Sequence, residues 1–250
     1  MLTLRNVTKN FEGICAVSQL SFHLEPGRIY GLIGPNGAGK TTAFNLITGI
    51  YPVTSGRIIY KGQDITNQPP YAISQLGISR TFQDMRLFPS MSVFENIFAA
   101  QSQRVKKISR IAPIHWQQER RHQEEILGIS RELGIVEYLS AHPKDLPCGI
   151  KRLAELARVL ACKPELVLLD EPSAGMNPTE IENLNVVIKS MMQKKLTVLL
   201  VGHDMNFVMG LCDYIFVMNY GEKIAEGTPI EVQGNPQVLE AYLGKDERHA

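Results

Sequence analysis

The chain has 250 residues, 44% hydrophobic and 20% charged, with a formal net charge of +1 at pH 7. That length suits one large or two small domains whose core needs neither disulfides nor structural metal, and the near-neutral charge gives no broad surface for nucleic acid or anionic membrane. The four cysteines, Cys15, Cys148, Cys162 and Cys212, form no C-x-x-C pair, which argues against zinc and a disulfide framework and fits a reducing cytosol.

The opening MLTLRNVTKNF has no long apolar stretch, so no signal peptide is expected, and no later run is long enough for a spanning helix. LTLRNVTKNF and LSFHLEPGRIYGLIG read as strands, the latter two joined by a Pro-Gly turn. GPNGAGKTTAFNLITGI leaves a strand, crosses a glycine-rich loop and enters a helix near Lys40, and SGRIIYKGQDI reads as a hairpin. From about Ile73 to Leu139 the pattern is mostly helical with a basic, polar middle, as an inserted subdomain would be. Short apolar strands return at LVLLD and LTVLLVG, separated by a helix around Thr179–Lys195. YIFVMNYGEKIAEGTP reads as strand, turn at Tyr220-Gly221, strand. Short apolar strands alternating with helices predict an α/β fold with a parallel sheet.

Gly34-Pro35-Asn36-Gly37-Ala38-Gly39-Lys40-Thr41 matches G-x-x-x-x-G-K-[ST] between a predicted strand and a predicted helix. Glycines let consecutive N–H groups turn inward around phosphate oxygens, and the positive end of the helix points at the same anion. In that setting Lys40 neutralises β/γ charge and Thr41 offers a hydroxyl to Mg²⁺. The motif by itself covers kinases, GTPases and motors; the N-K-x-D base reader of a GTPase is missing from the chain.

ELVLLDEP places Asp170 and Glu171 at the end of a buried strand, the end where parallel sheets hold ligands. Asp170 is the candidate Mg²⁺ holder through water, and Glu171 the candidate general base. LLVGHDM repeats the layout with His203, which is placed to donate to a γ-phosphate or orient Glu171 and its water. Gln83, in RTFQDMRLF, carries an amide that could reach the metal or the water from a mobile loop. LPCGIKRLAELAR starts as a loop at Pro147 and Gly149 and continues as a basic amphipathic helix.

In this order the motifs resemble the ATP-binding subunit of ABC transporters over essentially the whole chain. The resemblance implies a P-loop ABC ATPase fold. Its RecA-like parallel core and antiparallel β subdomain span 1–72 and 165–250, with a helical subdomain at about 85–160. It also implies a role for Phe11, stacked on adenine, and for Gly34 through Thr42 as the ATP-binding set. Thr41, Gln83 and Asp170 would hold Mg²⁺, and Lys40, Gln83, Glu171 and His203 would act in catalysis. LPCGI stands where that family has Leu-Ser-Gly-Gly-Gln, the stretch that closes over the ATP of a head-to-tail partner. Pro147 replaces the serine and removes a hydroxyl and an N–H, Cys148 replaces a glycine and Ile150 the glutamine, while Gly149 remains. The backbone cradle offered by Pro147, Cys148 and Gly149 would survive and the side-chain donor would not. Cys148 reads as an inert small residue; its place at a helix start makes it a secondary candidate for a reactive thiol.

The stretches RTFQDMRLFPSMSVFENI, SAGMNP with Asn177, and GNPQVLEAYLG are similar to those of the branched-chain amino-acid importer ATPases. That similarity implies an ATP-hydrolysing importer subunit on the cytoplasmic face of the inner or plasma membrane. Its partners would be a second ATPase subunit, alike or paralogous, transmembrane permease subunits and, indirectly, a solute-binding protein, with no nucleic acid. Another cargo, such as urea, an amide or a lipid, and a degenerate ATP-holding subunit of a heterodimer stay open. The basic run Arg104–Arg121, with Lys106, Lys107, Arg110, Arg120 and Arg121, reads as a solvated helix face.

Overall fold

The structure is a computed structural model that describes residues 1–102 and 114–243. The chain begins with β1 (Leu2–Phe11), β2 (Ile14–Leu24) and β3 (Ile29–Ile33), followed by α1 (Lys40–Ile47). Next come β4 (Ser55–Tyr60), β5 (Gln63–Asp64), α2 (Pro70–Gln75) and β6 (Ile78–Arg80). Three helices follow, α3 (Val93–Ser102), α4 (Ile114–Glu132) and α5 (Cys148–Ala161), and they pack on one another. The remainder runs β7 (Leu166–Asp170), α6 (Pro178–Gln193), β8 (Thr197–Val201), α7 (Met205–Leu211), β9 (Tyr214–Asn219), β10 (Glu222–Gly227), α8 (Pro229–Gln233) and α9 (Pro236–Leu243).

The strands form two sheets. An antiparallel one runs β2-β1-β4-β5, and a six-stranded one runs β10-β9-β3-β8-β7-β6. The second is parallel except for its β9–β10 hairpin. Strands β3, β7 and β8 are buried at every position, as the uninterrupted apolar runs IYGLI, LVLLD and TVLLV require of a sheet covered on both faces. Their side chains alternate between two cores. Ile29, Val167, Leu169, Val198 and Leu200 join the core beneath α3 to α7, while Leu32, Leu168, Leu199 and Val201 join the core shared with α1 and the antiparallel sheet. The Pro26-Gly27 turn therefore carries the chain from one sheet into the other.

One expectation fails here. The block from Ile73 is not mostly helical at its start, because Ile78–Arg80 is the edge strand of the parallel sheet, paired with Leu166–Leu168. Three residues are too few to show a period, so pairing with β7 decides the conformation. Of the basic run, Arg104, Lys106, Lys107 and Arg110 lie outside the described residues, while Arg120 and Arg121 are exposed on α4, as a solvated face requires. Among the described residues no helix is long and apolar enough to cross a membrane.

Candidate nucleotide site

The register of the parallel sheet brings the predicted site residues to one edge. Leu32 of β3 pairs with Val201 of β8, and Val201 pairs with Asp170 of β7. The segments that leave these strands, beginning at Gly34, Glu171 and Gly202, therefore emerge side by side at the carboxyl ends, where α/β sheets bind ligands.

The phosphate loop leaves β3 and turns into α1 at Gly39, whose φ is 96° and whose side suits no other residue, since a Cβ there would lie 2.5 Å from the carbonyl of Ala16. No side chain caps α1, so its first-turn N–H groups are left to an anion. Lys40 is 8% exposed, and its Nζ donates to the carbonyls of Gly34 at 2.7 Å and Pro35 at 2.9 Å. Burial pushes its pKa below the usual lysine value, and the carboxylates of Glu171 and Asp170 offset part of that. Asn36, Gly37 and Thr41 are exposed, Pro35 and Thr42 half-buried and Ala38 buried.

Asp170 is buried, and Arg80 on β6 takes its Oδ2 at 2.7 Å. Its Oδ1 is buried with no partner, and its N–H donates to Thr81 Oγ1 at 3.1 Å. An orphaned carboxylate oxygen beside a phosphate loop, with the exposed hydroxyl of Thr41 on α1, is an all-oxygen donor set that fits Mg²⁺. Glu171 sits in the left-handed region at φ 48°, which costs a non-glycine residue about 1–2 kcal/mol. That turn aims its side chain off the strand, and its N–H is held by Val201 O at 2.9 Å. Gln83 Nε2 donates to Glu171 Oε2 at 3.3 Å, and His203 Nδ1 lies 3.6 Å from the same oxygen. Lys40, Gln83, Asp170, Glu171 and His203 are thus gathered into one cluster.

Phe11 ends β1 and is 38% exposed, edge-on to Tyr51 at 5.3 Å with Lys9 Nζ 4.8 Å from its ring centroid. It is not a core phenylalanine. In the β1–β2 hairpin Phe11 pairs with Ile14, and Ala16, two residues further along β2, abuts Gly39 of the phosphate loop.

Pro147, Cys148 and Gly149 stand apart from this cluster. Pro147 caps α5 without a side-chain bond, and Cys148 is exposed with its Sγ toward Gly175. Gly149 is buried against Glu180, where a Cβ would meet Oε1 at 2.3 Å. Glu180 is fixed there by a capping box with Asn177, which starts α6. The sequence pattern does not mark Arg80 and Glu155, nor does it show what Arg152 touches. Arg80 lies in the unrecognised strand β6, and the other two are buried charges on a helix read as basic and amphipathic. A charged residue at a core position of the helical period was the available signal.

A glycine-rich loop capping a helix, with a buried lysine and two carboxylates at the neighbouring strand end, defines the chain as a P-loop nucleotide-binding protein. The model of the ABC transporter family matches residues 17–174, and that of the branched-chain amino acid ATP-binding cassette transporters matches 222–248. The chain is 39% identical to the high-affinity branched-chain amino acid transport ATP-binding protein LivG of Escherichia coli, over 98% of each chain. It is 37% identical to BraF of Pseudomonas aeruginosa, which bears the same description, again over 98% of each. The solved structure of a nucleotide-free ATP-binding cassette from an ABC transporter superposes with a TM-score of 0.85 at 28% identity, covering 98% of this chain and 99% of the other. The chain belongs to the ABC transporter family and is one of its ATP-binding subunits.

Proposed function

We propose that the chain hydrolyses ATP to drive uptake of branched-chain amino acids. The observation that carries the chemistry is the convergence of Lys40, Gln83 and His203 on the Asp170-Glu171 pair at one strand edge. The cargo rests on the similarity to LivG and BraF and on the matching C-terminal segment.

ATP would bind with adenine against Phe11 and its phosphates in the loop from Gly34 to Thr42, where first-turn N–H groups and Lys40 meet the β- and γ-oxygens. Asp170 through water, the Thr41 hydroxyl and the Gln83 amide would hold Mg²⁺. When bound, the ion would supply charge neutralisation at the β- and γ-phosphate oxygens. Glu171 accepts the proton of the attacking water, and its half-buried carboxylate already collects the Gln83 amide at Oε2. His203, with Nδ1 3.6 Å from the same oxygen, orients that carboxylate or donates to the γ-phosphate.

Two such subunits, alike or paralogous, would face head to tail, with Pro147, Cys148 and Gly149 of each closing over the other's ATP. The uncapped first turn of α5 supports this, since its N–H groups have no side-chain partner. The chain would divide into a core with its β subdomain, 1–72 and 165–250, and a helical subdomain at about 85–160. Between them a cleft of about 510 Å³, lined by residues including Ile73, Phe82, Arg86, Phe88 and Arg158, would receive a cytoplasmic segment of the permease. On this reading the subunit would sit at the cytoplasmic face of the membrane, with a solute-binding protein as an indirect partner.

The test is uptake of radiolabelled leucine by vesicles carrying the assembled transporter. Leucine uptake that requires ATP and is lost in Lys40→Ala supports the reading. ATP-driven uptake of urea or lipid movement without leucine uptake replaces the cargo and leaves the ATPase assignment standing.

A further inference from the structure

The hold on the chain around Gln83 changes between Thr81 and Phe82. Up to Thr81 the parallel sheet holds it: the Thr81 N–H donates to Leu168 O at 2.9 Å, and its hydroxyl receives the Asp170 N–H. From Phe82 onward helix α5 holds it. Arg152 Nη1 donates to Phe82 O at 3.2 Å, and Nη2 to Gln83 O at 2.9 Å. Glu155 Oε1 accepts the Phe82 N–H at 3.2 Å, and Arg158 Nη1 donates to Arg86 O.

Arg152 and Glu155 lie one turn apart on α5 as an ion pair at 3.6 Å, with side chains 9% and 5% exposed. Glu155 Oε2 and Arg152 Nε are buried without a hydrogen-bond partner, beside a void of about 10 Å³ lined by Thr81, Leu169, Pro172 and Leu184. A pair this buried and this incompletely bonded is a poor stabiliser, because desolvation of both ions consumes most of their attraction. Apolar residues of similar volume would support the fold as well. What they could not supply is a planar fork that binds two successive carbonyls, together with a carboxylate for the N–H of the first of them.

We propose that Arg152 and Glu155 are positioning residues that hold the Gln83 backbone at working distance from Glu171, so that displacement of α5 is delivered to the hydrolytic carboxylate of the same subunit. This rests on the reading that Gln83 and Glu171 act in hydrolysis. Its consequence is that the helix whose first turn would face the partner's ATP also sets the water-activating group at its own.

The test is a double-mutant cycle on the full chain in its assembled transporter, with Gln83→Ala, Arg152→Met and the pair, each followed by kcat, KM for ATP and melting temperature. Arg152→Met is expected to lower kcat about a hundredfold, the cost of a displacement of about 1 Å, with KM within about twofold, as a loss confined to the transition state requires. The pair is expected to be no slower than Gln83→Ala alone. Arg152→Lys keeps the charge without the fork and is expected to recover only part of kcat; if Arg152→Met does not fold, this variant carries the cycle. A folded Arg152 variant with wild-type kcat, or effects that multiply in the pair, overturns the clamp. Normal kcat in Gln83→Ala instead removes Gln83 from the hydrolytic set, and the clamp falls with it.

Discussion

Arg80 and Asp170 form a buried ion pair, Nη2 to Oδ2 at 2.7 Å, with side chains 6% and 1% exposed. Arg80 comes from the edge strand β6 and Asp170 from the end of β7, and the same guanidinium reaches Asn45 at 2.6 Å on α1. One cation therefore joins the phosphate-loop helix, the Asp170 carboxylate and the strand that leads to Gln83.

Breaking this pair from one side leaves a buried carboxylate uncompensated, which costs about 3–5 kcal/mol. Arg80→Met is accordingly expected to lower the melting temperature by about 10 °C, at roughly 2–4 °C per kcal/mol for a chain of this size. The double variant Arg80→Met, Asp170→Asn is expected to regain most of that loss, and differential scanning calorimetry reads both. A melting temperature unchanged in Arg80→Met would show that the pair is not formed in solution.

Lys40 carries a charge that burial disfavours and that two loop carbonyls only partly satisfy. Lys40→Met removes the charge and keeps the stem. It is expected to leave the apo protein as stable as wild type or slightly more so, and to weaken ATP about tenfold to a hundredfold, the worth of a charge-assisted hydrogen bond at roughly 1.5–3 kcal/mol. Isothermal titration calorimetry measures the affinity. The shift in melting temperature that ATP gives wild type should shrink in parallel.

Glu171 sits in a backbone conformation that glycine adopts freely. Glu171→Gly is expected to stabilise the fold by about 1 kcal/mol while hydrolysis falls by about 10²–10⁴-fold with the loss of the general base. Urea denaturation and ATPase rate together test this opposition. A destabilised Glu171→Gly would mean that the contacts of Glu171 with Gln83 and His203 outweigh the strain.

Burial raises the pKa of the Glu155 carboxyl above its ordinary value, and its bonds to Phe82 and Arg152 offset only part of that. The folded state then binds this proton more readily than the unfolded state, so this group's contribution to stability falls as pH rises from the unfolded pKa of about 4.3 through the folded one. Glu155→Gln lacks that dependence. Relative to wild type it is expected to gain stability as pH rises across this window and to show no such gain below it. Melting curves from pH 4 to 8 measure the difference.

The sequence carried the parallel core because each central strand is an unbroken apolar run bounded by a glycine or an acidic pair, and it carried the phosphate loop because the glycine spacing is itself the structure. It did not carry β6, whose three residues take their conformation from the ladder with β7. Nor did it carry the roles of Arg80, Arg152 and Glu155. Their partners are a carboxylate ninety residues away in the chain and the backbone of a loop, and no local pattern encodes either. Phe11 stands exposed beside Tyr51, a contact across forty residues that the strand pattern around it does not encode. Pro147 supplies no donor, and α5 begins there without a side-chain cap.

Whether this chain builds a working hydrolytic site is read from steady-state ATPase activity of the purified chain against its own concentration, beside Glu171→Gln. Activity is expected to rise with the square of dilute concentration, or to appear on addition of a paralogous subunit, and to vanish in Glu171→Gln while ATP stays bound. Normal multiple turnover in Glu171→Gln would contradict this expectation.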